Sequence, residues 1–116
     1  MDKPYKGLRV IDFTTTIAGP QCTRMLADMG ADVIKIETRD GDMMRSRPPQ
    51  RNGASTAFGQ LNAGKRSVVI DLKSAAGRQA ARRLAQTGDV LVENFRPGVM
   101  QRLGLDYESL RAESPR

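Results

Sequence analysis

The residues that could do chemistry in this chain are few in kind. Its 116 residues include no histidine, which excludes a Ser-His-Asp triad, a histidine general base and a histidine metal site from it. The single cysteine, Cys22, excludes an intrachain disulfide and a cysteine-rich zinc site, and we expect it to be a small packed residue. Binding by arginine, lysine, asparagine, hydroxyl groups and backbone amides remains. We therefore predict no catalytic residue and no metal site in this chain.

A polar turn with the sequence TTTIAGP, at 14–20, follows the first apolar run of the chain. The turn presents three hydroxyl groups and the backbone amides of a helix start, which suit an anionic ligand. The alternative is a capping turn whose threonines bind nothing. The turn contains no G-x-G-x-x-G sequence, so the fingerprint of a dinucleotide-binding turn is absent.

Two further polar stretches each carry an asparagine beside cations. The sequence NAGKR at 62–66 combines a glycine that permits a sharp turn with two cations, which could contact a phosphate or an adenine. Its spacing is not that of a P-loop, and it leads into a strand instead of a helix. The sequence ENFRPG at 93–98 follows another apolar run, and its phenylalanine could stack on a base or cover the sheet edge.

Arginines are concentrated at 38–52, where the lack of an apolar period predicts a long surface loop. Arginine is a fork-shaped donor that suits phosphates, but these side chains could equally be solvated or contact another subunit. The loop contains Arg39, Arg45, Arg47 and Arg51. A second group on a predicted helix is interpreted as a solvated face and comprises Arg78, Arg82 and Arg83.

Apolar runs and the residues that punctuate them predict the elements that position these stretches. We expect strands at 8–13, 32–37, 67–72 and 89–93, and helices at 20–29, 55–61, 74–86, 99–103 and 107–112. Pro20 suits the first position of its helix and Gly30 ends it. Ser74 caps the long second helix and Gly88 ends it. We expect that helix to face the sheet with Ala76, Ala80, Ala81 and Leu84.

Strands that alternate with helices predict an α/β fold with a mainly parallel sheet. The first strand, the first helix and the second strand make a βαβ unit, whose crossover is right-handed. Ligands of such sheets bind beyond the carboxyl ends of the strands. The segments expected there are 14–17, 38–42, 73–74 and 94–98.

The balance of charge favours an anionic partner, because the chain has 19 lysines and arginines but only 13 aspartates and glutamates, which gives a net charge of +6. The chain has no tryptophan, two tyrosines and three phenylalanines, which provide few stacking platforms for nucleic acid. We therefore predict a phosphorylated small ligand and no nucleic-acid partner. No apolar run approaches the roughly 18 residues of a membrane span, and no signal-type stretch follows the N-terminus. These features predict a cytoplasmic protein with no membrane partner.

Taken together and in this order, the motifs resemble the CaiB/BaiF family, the class III CoA-transferases, along essentially the whole chain. The matching stretches are GLRVIDF at 7–13, AGP at 18–20, LADMGADVIKIE at 26–37, GD at 41–42, LNAGKRS at 61–67, DLK at 71–73, DVLVENFRPG at 89–98 and LGLDY at 103–107.

The resemblance implies an enzyme that moves coenzyme A (CoA) from an acyl-CoA to a carboxylic acid, with CoA as a substrate and no other cofactor. Its nucleophile is an aspartate that forms a mixed anhydride and then a thioester with CoA, and it lies downstream of residue 116. The implied fold is a Rossmann-like, mainly parallel sheet with flanking helices. Residues 1–116 would form the N-terminal, incomplete part of the family's large domain, and two full-length subunits would interlock as a homodimer.

The resemblance also places CoA contacts on residues of this chain. Thr16 and Ile17 would lie near the thioester end, although this turn differs from the glutamine-bearing version of some members. Arg39, or a neighbour in the same loop, would bind the nucleotide portion. The adenine side would be contacted by Asn62, Ala63, Gly64 and Lys65. The pantetheine and phosphate path would be lined by Asn94, Phe95, Arg96 and Arg102.

Two alternatives share this CoA site. An α-methylacyl-CoA racemase-like enzyme would use a histidine and an aspartate, also downstream, although NAGKRS and ENFRPG favour the transferase branch. An isolated CoA-binding or regulatory fragment would have no activity of its own.

Overall fold

Four short apolar strands form a parallel sheet in the computed structural model, which describes residues 2–116. The strands are β1 (Arg9–Asp12), β2 (Asp32–Glu37), β5 (Arg66–Val69) and β6 (Val90–Val92), and their order across the sheet is β5-β2-β1-β6. Ile11 of β1 lies opposite Ile34 of β2 and Leu91 of β6. The predicted α/β fold with a mainly parallel sheet is therefore confirmed.

The central strands β1 and β2 are buried on both faces, and their successive side chains point to opposite sides of the sheet. Ile11, Phe13, Ile34 and Ile36 belong to one cluster, which also contains Leu72, Ala81, Met100 and Leu105. Val10 and Val33 pack on the other face with Ala31, Leu26 and Ala27. The helices that supply these partners are α1 (Ala18–Asp28), α3 (Ala75–Gln86) and α4 (Val99–Leu103).

The first helix, α1, begins two residues earlier than predicted. Pro20 occupies the third helical position, where its missing N–H still costs no hydrogen bond. Met29 follows the last helical residue, and Gly30 then adopts a φ of 104°, so the predicted glycine stop is confirmed.

The long helix α3 is capped as predicted, since the Ser74 hydroxyl accepts a hydrogen bond of 2.9 Å from the Gly77 N–H. Its predicted buried face is partly wrong, because Ala81 is buried but Ala76 and Ala80 are exposed. The helix ends at Gln86 with Thr87 in a right-handed conformation. Gly88 therefore does not form the stop. It lies against β1, where an added Cβ would stand 2.6 Å from the Ile11 side chain.

The segment 38–52, predicted to be a long surface loop, is mostly exposed but contains regular structure. It contains a 3₁₀ helix (Met43–Ser46), whose Met44 is buried, and the first strand of a hairpin. The hairpin joins β3 (Gln50–Arg51) to β4 (Ala54–Ser55). Its two connecting residues, Asn52 and Gly53, have φ values of 53° and 77°, as a type I′ turn requires.

The remaining elements lie close to their predicted bounds. Helix α2 (Thr56–Asn62) follows the hairpin, and α5 (Tyr107–Arg111) follows α4. The strand expected at 67–72 spans only Arg66–Val69, because the Asp71 carboxylate accepts from the Lys73 N–H at 3.0 Å and starts the turn into α3. Among residues 2–116, no helix has both the length and the apolar character needed to cross a membrane.

Candidate functional site

The carboxyl ends of the parallel strands bring the predicted binding segments 14–17, 38–42 and 94–98 together at one end of the sheet, the carboxyl edge, whereas the predicted contacts at 62–65 precede β5. The segments after β1 and β6 are joined directly, by two hydrogen bonds between Thr15 and Asn94. The Thr15 N–H donates to Asn94 Oδ1 at 3.0 Å, and Asn94 Nδ2 donates to the Thr15 carbonyl at 2.9 Å. Asn94 therefore holds the first turn and the ENFRPG stretch together.

Beneath this turn lies the buried carboxylate of Asp12, the last residue of β1. It accepts from the Thr14 N–H at 2.9 Å, from the Thr14 hydroxyl, and from the Thr23 hydroxyl of α1 at 2.6 Å. Lys65 Nζ adds an ion pair at 3.0 Å. One carboxylate thus ties the strand end, the turn and the first helix to the NAGKR stretch.

The ammonium of Lys65 points inward to the same place. Besides Asp12, it donates to the Pro20 carbonyl and to Asn62 Oδ1, both at 2.9 Å. Only 2% of the Lys65 side chain is exposed, and its three N–H donors are all taken. Burial lowers the pKa of Lys65, although the Asp12 carboxylate opposes that shift.

A second buried ion pair holds the other side of the turn. Lys35 Nζ lies 2.9 Å from Asp42 Oδ2 and donates to the Thr14 carbonyl at 2.9 Å. Both oxygens of Asp42 lie 3.3 Å from the Thr16 nitrogen. Thr16 has a φ of 77°, which a β-branched residue rarely adopts, so these contacts keep the turn in a strained backbone conformation.

The last residue of β2, Glu37, is fully engaged inside the chain. Arg45 binds it with two hydrogen bonds, at 2.7 and 2.6 Å, and the Asp42 N–H donates to it at 2.9 Å. The Arg45 guanidinium, together with the Ser67 hydroxyl and the Asp42 amide, lowers the pKa of Glu37 to about 2 against the effect of burial. In dinucleotide-binding folds an acidic residue at this strand end binds a ribose, but here its oxygens are already occupied.

The predicted CoA contacts fall into an exposed group and an internal group. Thr16 and Phe95 are half-buried, and Asn62 and Lys65 face the interior. Phe95 packs against the cluster around Ile11, which agrees with its interpretation as a cover for the sheet. The exposed members are Ile17, Arg39, Ala63, Gly64, Asn94, Arg96 and Arg102.

The arginines do not behave as one set. All four arginines of 38–52 are exposed, but Arg45 also binds Glu37 and lies 4.0 Å from the centre of the Phe58 ring.

The interpretation of Arg78, Arg82 and Arg83 as a solvated face is wrong for the first two. Arg78 donates to the carbonyls of Leu72 and Lys73. Arg82 donates to the carbonyls of Gly104 and Ser109, both at 2.8 Å, and so attaches the C-terminal helices to α3.

Several residues that shape the site were missed by the sequence reasoning. Asp12 and Lys35 stand inside apolar strands, which is itself a signal, because a buried charge requires a partner. Gly19 is a third case, since a Cβ there would lie 2.3 Å from the Thr14 Cβ, so only glycine lets the helix start against the turn. The prediction that Cys22 is packed is wrong, because it is exposed on α1. In the described part of the chain, no cluster of three potential metal ligands occurs.

Comparisons with known proteins agree with this arrangement. A sequence model of CoA-transferase family III matches residues 5–116. The succinyl-CoA:mesaconate CoA-transferase of Haloarcula hispanica is 46% identical over 113 residues, covering 93% of this chain and 28% of that protein. The succinate–glutarate CoA-transferase of Agrobacterium fabrum is 44% identical over 121 residues, covering 97% of this chain and 30% of that protein.

Comparison with solved structures points to the same family. A crystal structure of a CaiB/BaiF family protein from Brucella suis superposes with a TM-score of 0.92 and 39% identity, covering 98% of this chain and 32% of that one. The chain thus spans less than a third of the length of these proteins.

Proposed function

Since the chain belongs to CoA-transferase family III, we propose that it is the N-terminal part of an enzyme that moves CoA from an acyl-CoA to a carboxylic acid. The observation that carries the proposal is the match of the family over residues 5–116, which takes in every loop at the carboxyl edge of the sheet. Relatives at 44–46% identity are named CoA-transferases, which favours transfer over racemisation.

The chemistry of this proposal uses a carboxylate outside the chain. An aspartate downstream of residue 116 displaces the CoA thiolate from the donor and forms a mixed anhydride. The thiolate then attacks the aspartyl carbonyl, which releases the donor acid and leaves an aspartyl–CoA thioester. The acceptor carboxylate reverses these steps and leaves as the new acyl-CoA. The residues of this chain bind and orient CoA during the exchange.

The exposed residues at the carboxyl edge are suited to that task. Arg39, Arg96 and Arg102 are exposed cations that can bind the CoA phosphates through charged hydrogen bonds. Thr16 and Ile17 lie in the turn proposed to face the thioester. The remaining contacts proposed are Ala63 and Gly64 before β5 and Asn94 and Phe95 after β6, and the inward-facing side chains of Asn62 and Lys65 support the stretch before β5.

Two further expectations belong to the same proposal. The full-length protein would form the interlocked homodimer of its family and act in the cytoplasm. The chain of 116 residues would have no transferase activity alone, because it supplies the CoA site without a nucleophile.

A transfer assay tests the proposal on the protein of the complete reading frame that contains residues 1–116. Succinyl-CoA and glutaryl-CoA serve as donors, and mesaconate, succinate and glutarate as acceptors. We expect a new acyl-CoA to form with ping-pong kinetics, and none with residues 1–116 alone. Racemisation of a 2-methylacyl-CoA without transfer to any acid would contradict the proposal, and turnover by residues 1–116 alone would contradict the downstream nucleophile.

A further inference from the structure

We infer that Lys65 is a positioning residue that acts through Asp12 on the first turn, and not a contact to the CoA phosphates. The inference rests on the proposed function, because that function makes the turn at 14–20 the part of the chain that meets the thioester. It changes the role that the motif NAGKR suggests, since a lysine after a glycine turn normally indicates a ligand contact.

The contacts of Lys65 converge on the turn and its supports. From 53 residues along the chain, its Nζ reaches the Asp12 carboxylate at 3.0 Å and the Pro20 carbonyl at 2.9 Å. Its third acceptor, Asn62 Oδ1, belongs to the end of α2 and is fixed by a bond from Asn62 Nδ2 to the Phe58 carbonyl at 3.1 Å. The ammonium thus connects α2 to both ends of the turn.

The other donors to Asp12 show what depends on the pair. They are the Thr14 N–H and hydroxyl, at the first residue of the turn, and the Thr23 hydroxyl on α1. Without Lys65, the buried Asp12 carboxylate would lose its cation, and an uncompensated buried charge is strongly unfavourable. The turn would have to shift so that water could reach Asp12.

The position of the ammonium argues against a phosphate contact. The Lys65 side chain is 2% exposed and Asp12 is fully buried, whereas Arg39, Arg96 and Arg102 are exposed. A phosphate could bind Lys65 only by displacing one of its three oxygen acceptors, which belong to Asp12, Pro20 and Asn62. The Lys35–Asp42 pair holds Thr14 and Thr16 from the opposite side, so the turn is fixed between two buried ion pairs.

The test compares substrates with and without phosphates in the protein of the complete reading frame. An acyl-pantetheine thioester keeps the reacting end of an acyl-CoA but carries no phosphate. We expect Lys65→Met to lower kcat/KM by about tenfold to a hundredfold, as displaced positioning groups do, and by the same factor for both thioesters. Arg102→Gln is the matched phosphate control and lowers kcat/KM only with acyl-CoA. A loss in Lys65→Met that disappears with acyl-pantetheine would overturn the inference.

A double-mutant cycle tests whether Lys65 acts through Asp12. The variant Asp12→Asn with Lys65→Met should lose no more activity than the worse of its two single variants. Losses that add would show that Lys65 acts independently. Asn62→Ala removes one acceptor and leaves the ion pair intact, so it gives a smaller, phosphate-independent loss even where Lys65→Met fails to fold.

Hydrogen exchange separates this inference from the proposed function, because it requires no turnover. In Lys65→Met, amides at 13–23 should exchange faster than in the unmodified protein. If Lys65→Met does not fold, Asn62→Ala is measured in its place and should show the same change. Arg102→Gln should leave them unchanged. Unchanged exchange at 13–23 would overturn the inference, even if the protein is an active transferase. Faster exchange in a protein without transferase activity would contradict the proposed function and support the inference.

Discussion

Buried charges in the strands set the geometry of the carboxyl edge. Asp12, Lys35, Glu37 and Asp42 are each less than 5% exposed, and every one of them has an opposite charge within 3.0 Å. Such groups are tolerated because their partners and hydrogen bonds replace water. Their bonds end on the backbone of 14–20 and of 42–44, so the charges fix the two loops in place.

The depressed pKa of Glu37 predicts a pH dependence of stability. Its pKa is about 2 in the folded chain against 4.5 in the unfolded one, so the carboxylate stabilises the fold above pH 4.5. The contribution is lost as the pH falls from 4.5 through 2, and it is on the order of 3 kcal/mol at most. Glu37→Gln should therefore lower the free energy of unfolding at pH 6, and its difference from the unmodified protein should shrink towards pH 2.

Chemical unfolding of the complete protein at several pH values measures this difference. Glu108→Gln is the matched control, because Glu108 also pairs with an arginine but is exposed on α5. A Glu37→Gln difference that stays constant between pH 6 and pH 2 would contradict the role assigned to the pair with Arg45.

The exposed arginines at the carboxyl edge predict a phosphate dependence of binding. Arg39→Ala and Arg102→Ala should each weaken CoA binding by about tenfold to a hundredfold, since charged hydrogen bonds contribute roughly 1.5–3 kcal/mol. Calorimetry on the complete protein measures both, with Arg83→Ala, an exposed arginine of α3, as the control. Equal affinities for CoA in all three variants would mean that Arg39 and Arg102 are solvated and do not bind its phosphates.

At the residue scale, the sequence predicted which segments meet but not what holds them. The polar turn and the ENFRPG stretch were expected at one edge, and Thr15 and Asn94 do bond there. The partner of Asp12 could not be predicted, because Lys65 lies 53 residues away and only the folded sheet brings them together. The family resemblance placed Lys65 on the adenine side of CoA, and nothing in the sequence around it indicates the buried ammonium that the structure shows.

At the scale of elements, close packing at the start of α3 explains why a glycine stands at position 77. A Cβ at position 77 would lie 1.8 Å from the Asp71 carbonyl oxygen, which is backbone and cannot turn away. Gly77→Ala should therefore lower the free energy of unfolding by about 1–3 kcal/mol, as overpacking does.

The control for that prediction is a glycine in open space. Gly59 lies inside α2 and an added Cβ meets nothing within 4 Å, so Gly59→Ala should stabilise the protein by about 0.5–1 kcal/mol. Thermal unfolding of both variants in the complete protein measures the pair. Equal stability of Gly77→Ala and Gly59→Ala would contradict the close contact between position 77 and the Asp71 carbonyl oxygen.

Element boundaries were predicted where local signals are strong and missed where tertiary contacts decide. The strand β2 and the cap at Ser74 follow from an apolar run and a side-chain hydroxyl. The 3₁₀ helix at Met43–Ser46 depends on the buried Asp42, whose position is set by Lys35. The Asn52–Gly53 dipeptide is typical of a hairpin turn, but the lack of an apolar period around it led to the prediction of a loop.

At the scale of the molecule, both edges of the sheet are open in the described chain. On β5 the Val69 side chain is 62% exposed, and along β6 a groove of about 630 Å³ runs between Leu91, Phe95 and Leu110. Ser114 and Arg116 also line this groove. Exposed apolar strand edges are prone to association.

Residues 1–116 alone are therefore expected to be marginally stable or aggregation-prone, and not to form the proposed dimer. Thermal unfolding followed by light scattering measures this, with the complete protein as the reference. A soluble monomer with a sharp two-state transition well above about 45 °C, as ordinary domains show, would mean that this part folds independently.

The most direct measurement of the central claim is the location of covalently bound CoA. The complete protein is incubated with an acyl-CoA, quenched and digested, and its peptides are searched by mass spectrometry for a CoA adduct. The proposed transfer predicts an aspartyl–CoA thioester on a peptide downstream of residue 116 and none within 1–116. An adduct on a residue of this chain, or transfer without any adduct that borohydride can reduce, would contradict the division between a CoA site here and a nucleophile elsewhere.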